Sequence, residues 1–176
     1  VWETLSPSKL NWQLDTLQAL YSMLENNETR AFIVLKDGKI VIEKYWGKNI
    51  LGTADFNAES RWYWASAAKT LTAFTVQKAA EHNHLSLYDP TANYLGAGWT
   101  SLPTGKEEKI TILNQLTMTT GLDDTKDKTT EPQDLIYAAD AGTRWAYHNA
   151  PYTLLEKVVS NATNQDFNSY FNENLQ

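Results

Sequence analysis

The chain has no cysteine. Disulfides, thiol nucleophiles and thiolate metal sites are therefore excluded in one step. It also lacks any run approaching the roughly 20 apolar residues that a membrane-spanning helix requires. A basic block is missing too: 15 Lys and Arg stand against 21 Asp and Glu, for a net charge of −6 spread along the chain. That distribution argues against nucleic acid or an anionic membrane as the main partner. No internal repeat and no low-complexity stretch is present. The opening VWETLSPSKL has neither the basic n-region nor the apolar h-region of a secretory signal.

Present instead is a folding, globular composition. Of 176 residues, 42% are hydrophobic and 12% aromatic, including seven Trp, enough for one domain with a sizeable core. After Ser6-Pro7-Ser8, the spacing of Leu10, Leu14, Leu17, Tyr21 and Leu24 predicts an amphipathic helix with a Ser cap, ending near Asn26-Asn27. The next segment changes period. AFIVLK and KIVIEKYW are β-rich runs flanking Asp37-Gly38, a strong short-range hairpin signal, so Ala31 to Trp46 reads as a β-hairpin. From Ser66 the pattern turns helical until a loop near Asp89-Pro90. Further helices are expected at about Thr111 to Thr119 (stopped by Gly121), Pro132 to Ala139, Pro151 to Asn161, and from Asp166 onward. The expected class is α+β.

Two short patterns carry chemistry. Ser66-Ala67-Ala68-Lys69 puts a hydroxyl and an amine three residues apart at a helix start, on one face and one turn apart. A serine hydroxyl is a weak nucleophile until a neighbouring base takes its proton, and a lysine serves once its surroundings lower its pKa. The helix start adds free backbone N–H groups that favour an anion at Ser66. Taken alone, the tetrapeptide is equally what a solvated lysine on a helix face produces. The second pattern is Tyr147-His148-Asn149, after Gly142-Thr143-Arg144-Trp145 and before a helix that opens with Pro151. Taken alone, it also reads as a buried Tyr and a capping Asn.

Together and in this order, the two patterns resemble the serine β-lactamase and penicillin-binding protein superfamily. The likeness is to the branch that holds class C β-lactamases, D-alanyl-D-alanine peptidases, family VIII carboxylesterases and aminohexanoate-oligomer hydrolases. The similar stretches are WASAAKTLTA around Ser66, LSLYDPTANYL at 85–95, ITILNQLTMTTGLDD at 110–124 and AGTRWAYHNAPYTLLEKVV at 141–159. The resemblance implies a β-lactamase/transpeptidase-like fold in which residues 1–50 form a helix and hairpin and residues 60–176 a mainly helical catalytic region. It implies Ser66 as the acylated nucleophile, with Lys69 and Tyr147 as its proton-handling partners; a close Lys–Tyr pair titrates as a unit, so neither is singled out as the base. Asn149 would bind Lys69 and the carbonyl side of the substrate. No cofactor and no metal is implied. The substrate would be a small ester, amide or peptide, with an esterase or amidase favoured by the wording of GTRWAYHN and TMTTGLD. The alternative is a β-lactam or peptidoglycan-fragment sensor that acylates without turnover. A periplasmic or secreted location, after loss of a leader, is expected.

Other conspicuous residues have plainer readings. Trp64, with Trp62 and Tyr63, suits either an aromatic wall for an acyl group or core packing. His148 is expected to line the cleft rim and touch substrate, or to point away from the nucleophile. His82 and His84 sit at an expected helix end, and Lys126, Asp127 and Lys128 read as flexible surface. The resemblance also implies a third motif, Lys-Thr-Gly or His-x-Gly, on a late strand carrying the second oxyanion donor. The chain has no such triplet; Thr104-Gly105-Lys106 has the reverse order and reads as a turn. An isolated hairpin is marginal in water. The 176 residues are therefore expected to be the N-terminal part of a longer protein. Its C-terminal remainder, as a further segment or a separate chain, would supply the other strands.

Overall fold

The computed structural model describes residues 2–175, in two compact units divided between Trp64 and Ala65. In the first unit the helix begins later than its leucine spacing predicts. Pro7–Leu10 form only a 3-10 turn, and Asn11 ends it in the left-handed region at φ 56°. The α-helix (α1) runs Leu14–Asn26, preceded by Gln13 as N-cap. Ser6 does not cap it: its hydroxyl lies 2.7 Å from that of Ser8. Proline fits the first turn of a helix, but the αL residue after Leu10 forces a restart.

The hairpin forms where the sequence places it. Strand β1 spans Ala31–Lys36 and β2 spans Lys39–Tyr45, antiparallel, with Ala31 opposite Tyr45 and Lys36 opposite Lys39. Asp37 and Gly38 take φ of 50° and 74°. Positive φ at both central residues is what a two-residue turn matched to strand twist demands, which is why an Asp-Gly pair stands there. The register shifts between Val34 and Leu35, leaving Val41 as the extra residue of a bulge. Val41 and Ile42 are buried, whereas Ile33 and Leu35 on β1 are 47% and 48% exposed.

The second unit is helical. A 3-10 turn, Ala65–Ala68, leads into α2, Lys69–Glu81. The remaining helices are α3 (Ala92–Leu95), α4 (Thr104–Glu107), α5 (Ile112–Leu116), α6 (Asn149–Thr153), α7 (Leu155–Thr163) and α8 (Phe167–Asn174). Thr111 caps α5 through a reciprocal pair: its side chain accepts from the Asn114 N–H, and the Asn114 side chain accepts from the Thr111 N–H. Asp166 accepts the Ser169 N–H at the start of α8. The segment expected to be helical from Pro132 to Ala139 is a 3-10 turn at Pro132–Asp134 only. There the backbone pairs instead with Gly121, whose carbonyl accepts the N–H groups of Ala138 and Ala139 at 3.0 and 2.9 Å. Gly121 has φ 76°, and a Cβ on it would strike the Ala139 carbonyl, so glycine is required at this crossing. Thr104-Gly105-Lys106 lies within α4, with Lys106 paired to Asp140. Among the described residues no helix is long and apolar enough to cross a membrane.

Two buried clusters hold this unit. Val76 and Ala79 of α2 meet Leu155, Val158 and Val159 of α7 together with Ile112, Tyr152 and Tyr170. Trp99, Ile110, Leu122, Leu135 and Ala150 form the other. Each fully buried aliphatic side chain contributes about 1.5–3 kcal/mol relative to exposure. Polar anchors fix the loops between helices. Glu107 is 1% exposed, and its carboxylate accepts the N–H groups of Gly98 and Thr100 at 2.7 and 2.8 Å and the Thr100 hydroxyl at 2.6 Å. Replacing it with alanine orphans the buried N–H and hydroxyl of Thr100 and leaves the Gly98 N–H without its acceptor. Glu107→Ala is expected to lower the unfolding free energy of the purified protein by about 2–4 kcal/mol in urea denaturation, and Glu107→Gln by less. A loss below about 0.5 kcal/mol for Glu107→Ala would contradict this anchoring role.

Candidate active site

Ser66 lies in the 3-10 turn that opens toward solvent, and Lys69 is the first residue of α2. In a 3-10 turn, side chains at i and i+3 eclipse, so the tetrapeptide geometry brings the amine under the hydroxyl: Lys69 Nζ lies 3.2 Å from Ser66 Oγ. Ala65, just before the nucleophile candidate, has φ 46° in the left-handed region. An L-residue adopts that conformation at a cost of about 1–2 kcal/mol.

Tyr147 arrives from the far end of the unit on an extended stretch held against residues 118–124. The Gly142 N–H donates to the Thr119 carbonyl at 2.8 Å, the Ala146 N–H to the Met118 carbonyl at 3.1 Å, and Arg144 pairs with Asp124 at 2.8 Å. These contacts set the Tyr147 hydroxyl 2.5 Å from Ser66 Oγ. The bond to the Ser66 hydroxyl, and secondarily the Lys69 ammonium, holds the phenol below its ordinary value of 10.0.

Helix α6 delivers Asn149. The Tyr152 hydroxyl donates to the Lys69 carbonyl at 2.9 Å, and the Gln115 amide donates to the Pro151 carbonyl at 2.6 Å while accepting from the Thr91 hydroxyl at 2.8 Å. With α6 pinned to the start of α2, Asn149 Oδ1 accepts from Lys69 Nζ at 2.6 Å. The ammonium also sits 5.3 and 5.4 Å from the ring centroids of Tyr147 and Tyr152, within cation–π range of both. Burial raises the Tyr152 phenol, with the neighbouring Tyr147 adding to it, so Tyr152 stays a hydrogen-bond donor.

The structure thus brings Ser66, Lys69, Tyr147 and Asn149 together. It does not bring His148 to them as a substrate contact. That side chain is 3% exposed, and neither ring nitrogen has a hydrogen-bond partner or solvent access. Desolvation lowers its pKa, although Asp127, Asp124 and Asp123 pull the other way. Of the two expectations for His148, the ring pointing away from the nucleophile fits this burial, and the rim does not. Trp64 closes the first unit with its ring 61% exposed. His82 is taken up by Tyr170, with its Nδ1 2.9 Å from the phenol hydroxyl.

One residue read from the sequence as flexible surface belongs to the site. Asp127 Oδ1 accepts the Asn149 backbone N–H and Oδ2 accepts Asn149 Nδ2, both at 2.5 Å. Burial pushes the Asp127 carboxyl up, but the two bonds from Asn149 outweigh it and hold the group below its ordinary value. An aspartate between two lysines carries no spacing signal that could have marked it.

The Beta-lactamase family model matches residues 26–175. Protein flp of Staphylococcus aureus is 23% identical over 177 aligned residues, which cover 89% of this chain and 35% of that protein. Among solved structures, the octameric penicillin-binding protein homologue of Pyrococcus abyssi superposes with a TM-score of 0.75 at 19% identity, over 92% of this chain and 42% of that one. The D-alanine carboxypeptidase AmpC of Burkholderia cenocepacia gives 0.72 at 25% identity, over 92% of this chain and 46% of that one. The chain spans about a third of the curated relative and less than half of either solved structure. With the fold shared over nearly all of its length and the family model matching 26–175, the chain belongs to the β-lactamase family.

Proposed function

We propose that Ser66 is the nucleophile of a hydrolase that cleaves an ester or amide bond through an acyl-enzyme. The observation that carries this reading is the convergence on one exposed hydroxyl of Tyr147 at 2.5 Å and Lys69 at 3.2 Å, distances suited to direct proton transfer. The Ser66 proton passes to the Lys69–Tyr147 pair as Oγ bonds to the substrate carbonyl carbon. The tetrahedral adduct collapses, the bond to the alcohol or amine breaks, and the pair returns the proton to that leaving group. Water then reverses the sequence: its oxygen bonds to the acyl carbon as the pair takes its proton, the acyl–Oγ bond breaks to release the acid, and the pair returns the proton to Ser66. The lowered Tyr147 phenol fits it to accept a proton closer to neutral pH than a free tyrosine does. Lys69 and Tyr147 titrate as one unit in this scheme.

A simple ester or amide is favoured over a β-lactam or a D-Ala-D-Ala peptide, on the wording of residues 142–149 and 117–123. The second reading is a sensor that acylates at Ser66 and holds the acyl group. A fluorophosphonate probe is expected to label Ser66. Short-chain nitrophenyl esters, a chromogenic cephalosporin and a D-Ala-D-Ala peptide then separate the substrate classes, and labelling without turnover of any of them favours the sensor. We also propose that further strands, from the remainder of the protein or a second chain, pair beside β1. The half-exposed Ile33 and Leu35 support this, because an exposed apolar edge invites pairing.

Four outcomes follow, the first three for the protein with its pairing strands present. Ser66→Ala is expected to abolish turnover with the fold intact by circular dichroism; substantial residual ester hydrolysis would remove Ser66 from the mechanism. Tyr147→Phe is expected to lower kcat by about 10²–10⁴-fold. Because the Tyr147 phenol is held below its ordinary value, the wild-type rate is expected to rise with pH along a limb centred below 10.0, as the proton-accepting form of the pair fills. That limb disappears in Tyr147→Phe, and its persistence there would assign it to another group. Residues 1–176 alone, without the pairing strands, are expected to show no turnover. Full activity from them with the β1 edge free would overturn the completion proposal.

A further inference from the structure

We propose that Asp127 is a positioning residue for the reaction: it fixes the amide of Asn149 so that Oδ1, and not Nδ2, faces the Lys69 ammonium. This rests on the reading of Ser66, Lys69 and Tyr147 given above. The two oxygens of Asp127 take different bonds from one residue, the backbone N–H and the Nδ2 of Asn149, each at 2.5 Å. An ionised carboxylate only accepts, an ammonium only donates, and a carboxamide has one end of each kind. Only one of the two amide orientations therefore satisfies both neighbours. In it, Oδ1 accepts from Lys69 Nζ at 2.6 Å. The flipped amide would set its oxygen against the carboxylate and its NH2 against the ammonium, leaving two unfavourable contacts in a half-buried place.

Asp127 is itself anchored. The Lys126 ammonium beside it bonds Asp134 Oδ1 at 2.5 Å, and the Thr129 hydroxyl bonds Asp134 Oδ2 at 3.1 Å, so both ends of this short loop are tied to one carboxylate. The Thr125 N–H donates to Asp123 Oδ1 at 2.7 Å, closing the turn that leads into it. The orientation then passes from this loop through Asn149 to Lys69, and from Lys69 to Ser66 and Tyr147. Asp127 makes no hydrogen bond to Ser66, Lys69 or Tyr147, so its positioning influence runs through Asn149.

The test exchanges the two residues. Asp127→Asn turns one acceptor into a donor aimed at Asn149 Nδ2, which drives the amide to flip; kcat is expected to fall about 10- to 100-fold with KM little changed. Asn149→Asp faces two carboxylates and is expected to fall at least as far. The double variant Asp127→Asn/Asn149→Asp restores donor to acceptor at every contact, with the new carboxylate accepting from both Lys69 and the new amide. It is expected to regain at least tenfold in kcat over either single variant. A role confined to supporting the start of α6 predicts no such rescue.

A second readout needs no turnover. Titration of Tyr147 is followed by NMR of ¹³Cζ-labelled tyrosine, assigned by its loss in Tyr147→Phe. The charge of Asp127 alone raises the Tyr147 phenol, whereas Lys69 lowers it. If Asp127 acts only through its charge, Asp127→Asn moves the phenol down. If it acts by holding Lys69 in place, the phenol moves up toward 10.0. A downward or absent shift, or a double variant no better than the single ones, overturns the proposal. A wild-type protein that has its pairing strands and is neither labelled at Ser66 nor active defeats the hydrolase reading instead, and the direction of the Tyr147 shift still decides the role of Asp127.

Discussion

The site depends on where one ammonium group is held. Lys69 Nζ has Ser66 Oγ at 3.2 Å and Asn149 Oδ1 at 2.6 Å, and lies over the rings of Tyr147 and Tyr152. A lysine on an exposed helix face would sample many rotamers, and freezing a long side chain costs up to about 2 kcal/mol of entropy. Here its partners come from three places: the turn that carries it, helix α6, and the extended stretch before α6. Asn149 is fixed by Asp127, and the stretch leading to Tyr147 by its backbone bonds to Met118 and Thr119, without Lys69, so much of the ordering cost is met by framework rather than by the lysine itself. That division is what preorganisation means for a proton-transferring group.

The framework explains why a helical unit with short, broken helices suits this chemistry. Long α2 and α7 supply the packed floor through Val76, Ala79, Leu155, Val158 and Val159. The functional groups sit where regular structure stops: Ser66 in a 3-10 turn, Tyr147 on irregular chain, Asn149 at the first residue of α6, Asp127 in a loop. Interior helical positions bury side chains against neighbours, whereas element ends leave N–H groups and side chains free to converge. Buried polar bonds substitute for regular packing there. Gln115 joins Thr91 to Pro151, Glu107 gathers the loop at Gly98 and Thr100, and Tyr152 ties α6 to the Lys69 carbonyl.

What was legible in the sequence was local or pairwise in chemistry. Asp37-Gly38 announces the hairpin because few other pairs tolerate positive φ at both positions. The run from Thr111 to Thr119 announces a helix, although the helix proved shorter than expected, stopping at Leu116. Ser66 with Lys69, and Tyr147 with Asn149, stand out only together and in order, through the family resemblance that the combination carries. The rest was not legible because it depends on contacts distant in sequence. Residues 132–139 lose their helix to backbone bonds with Gly121. The spacing of Leu10 and Leu14 cannot reveal that Asn11 turns left-handed between them. Asp127 acquires its role only by meeting Asn149, 22 positions later, and a charged loop residue looks the same in sequence whether or not such a meeting occurs.

His148 shows how a residue inside a recognisable motif can be turned away from its chemistry. Tyr147 and His148 are neighbours in extended chain, where successive side chains point to opposite sides. His148 itself has φ −146° and ψ 114°, in the β region, so the alternation applies. Placing the Tyr147 hydroxyl on Ser66 therefore sends the histidine ring inward, and 3% exposure is the result. Asn149 returns to the Tyr147 side as the chain enters α6, which is why the motif skips one position. The middle position is constrained by the interior it must fill, not by the reaction, and burial lowers the pKa of a titratable ring there.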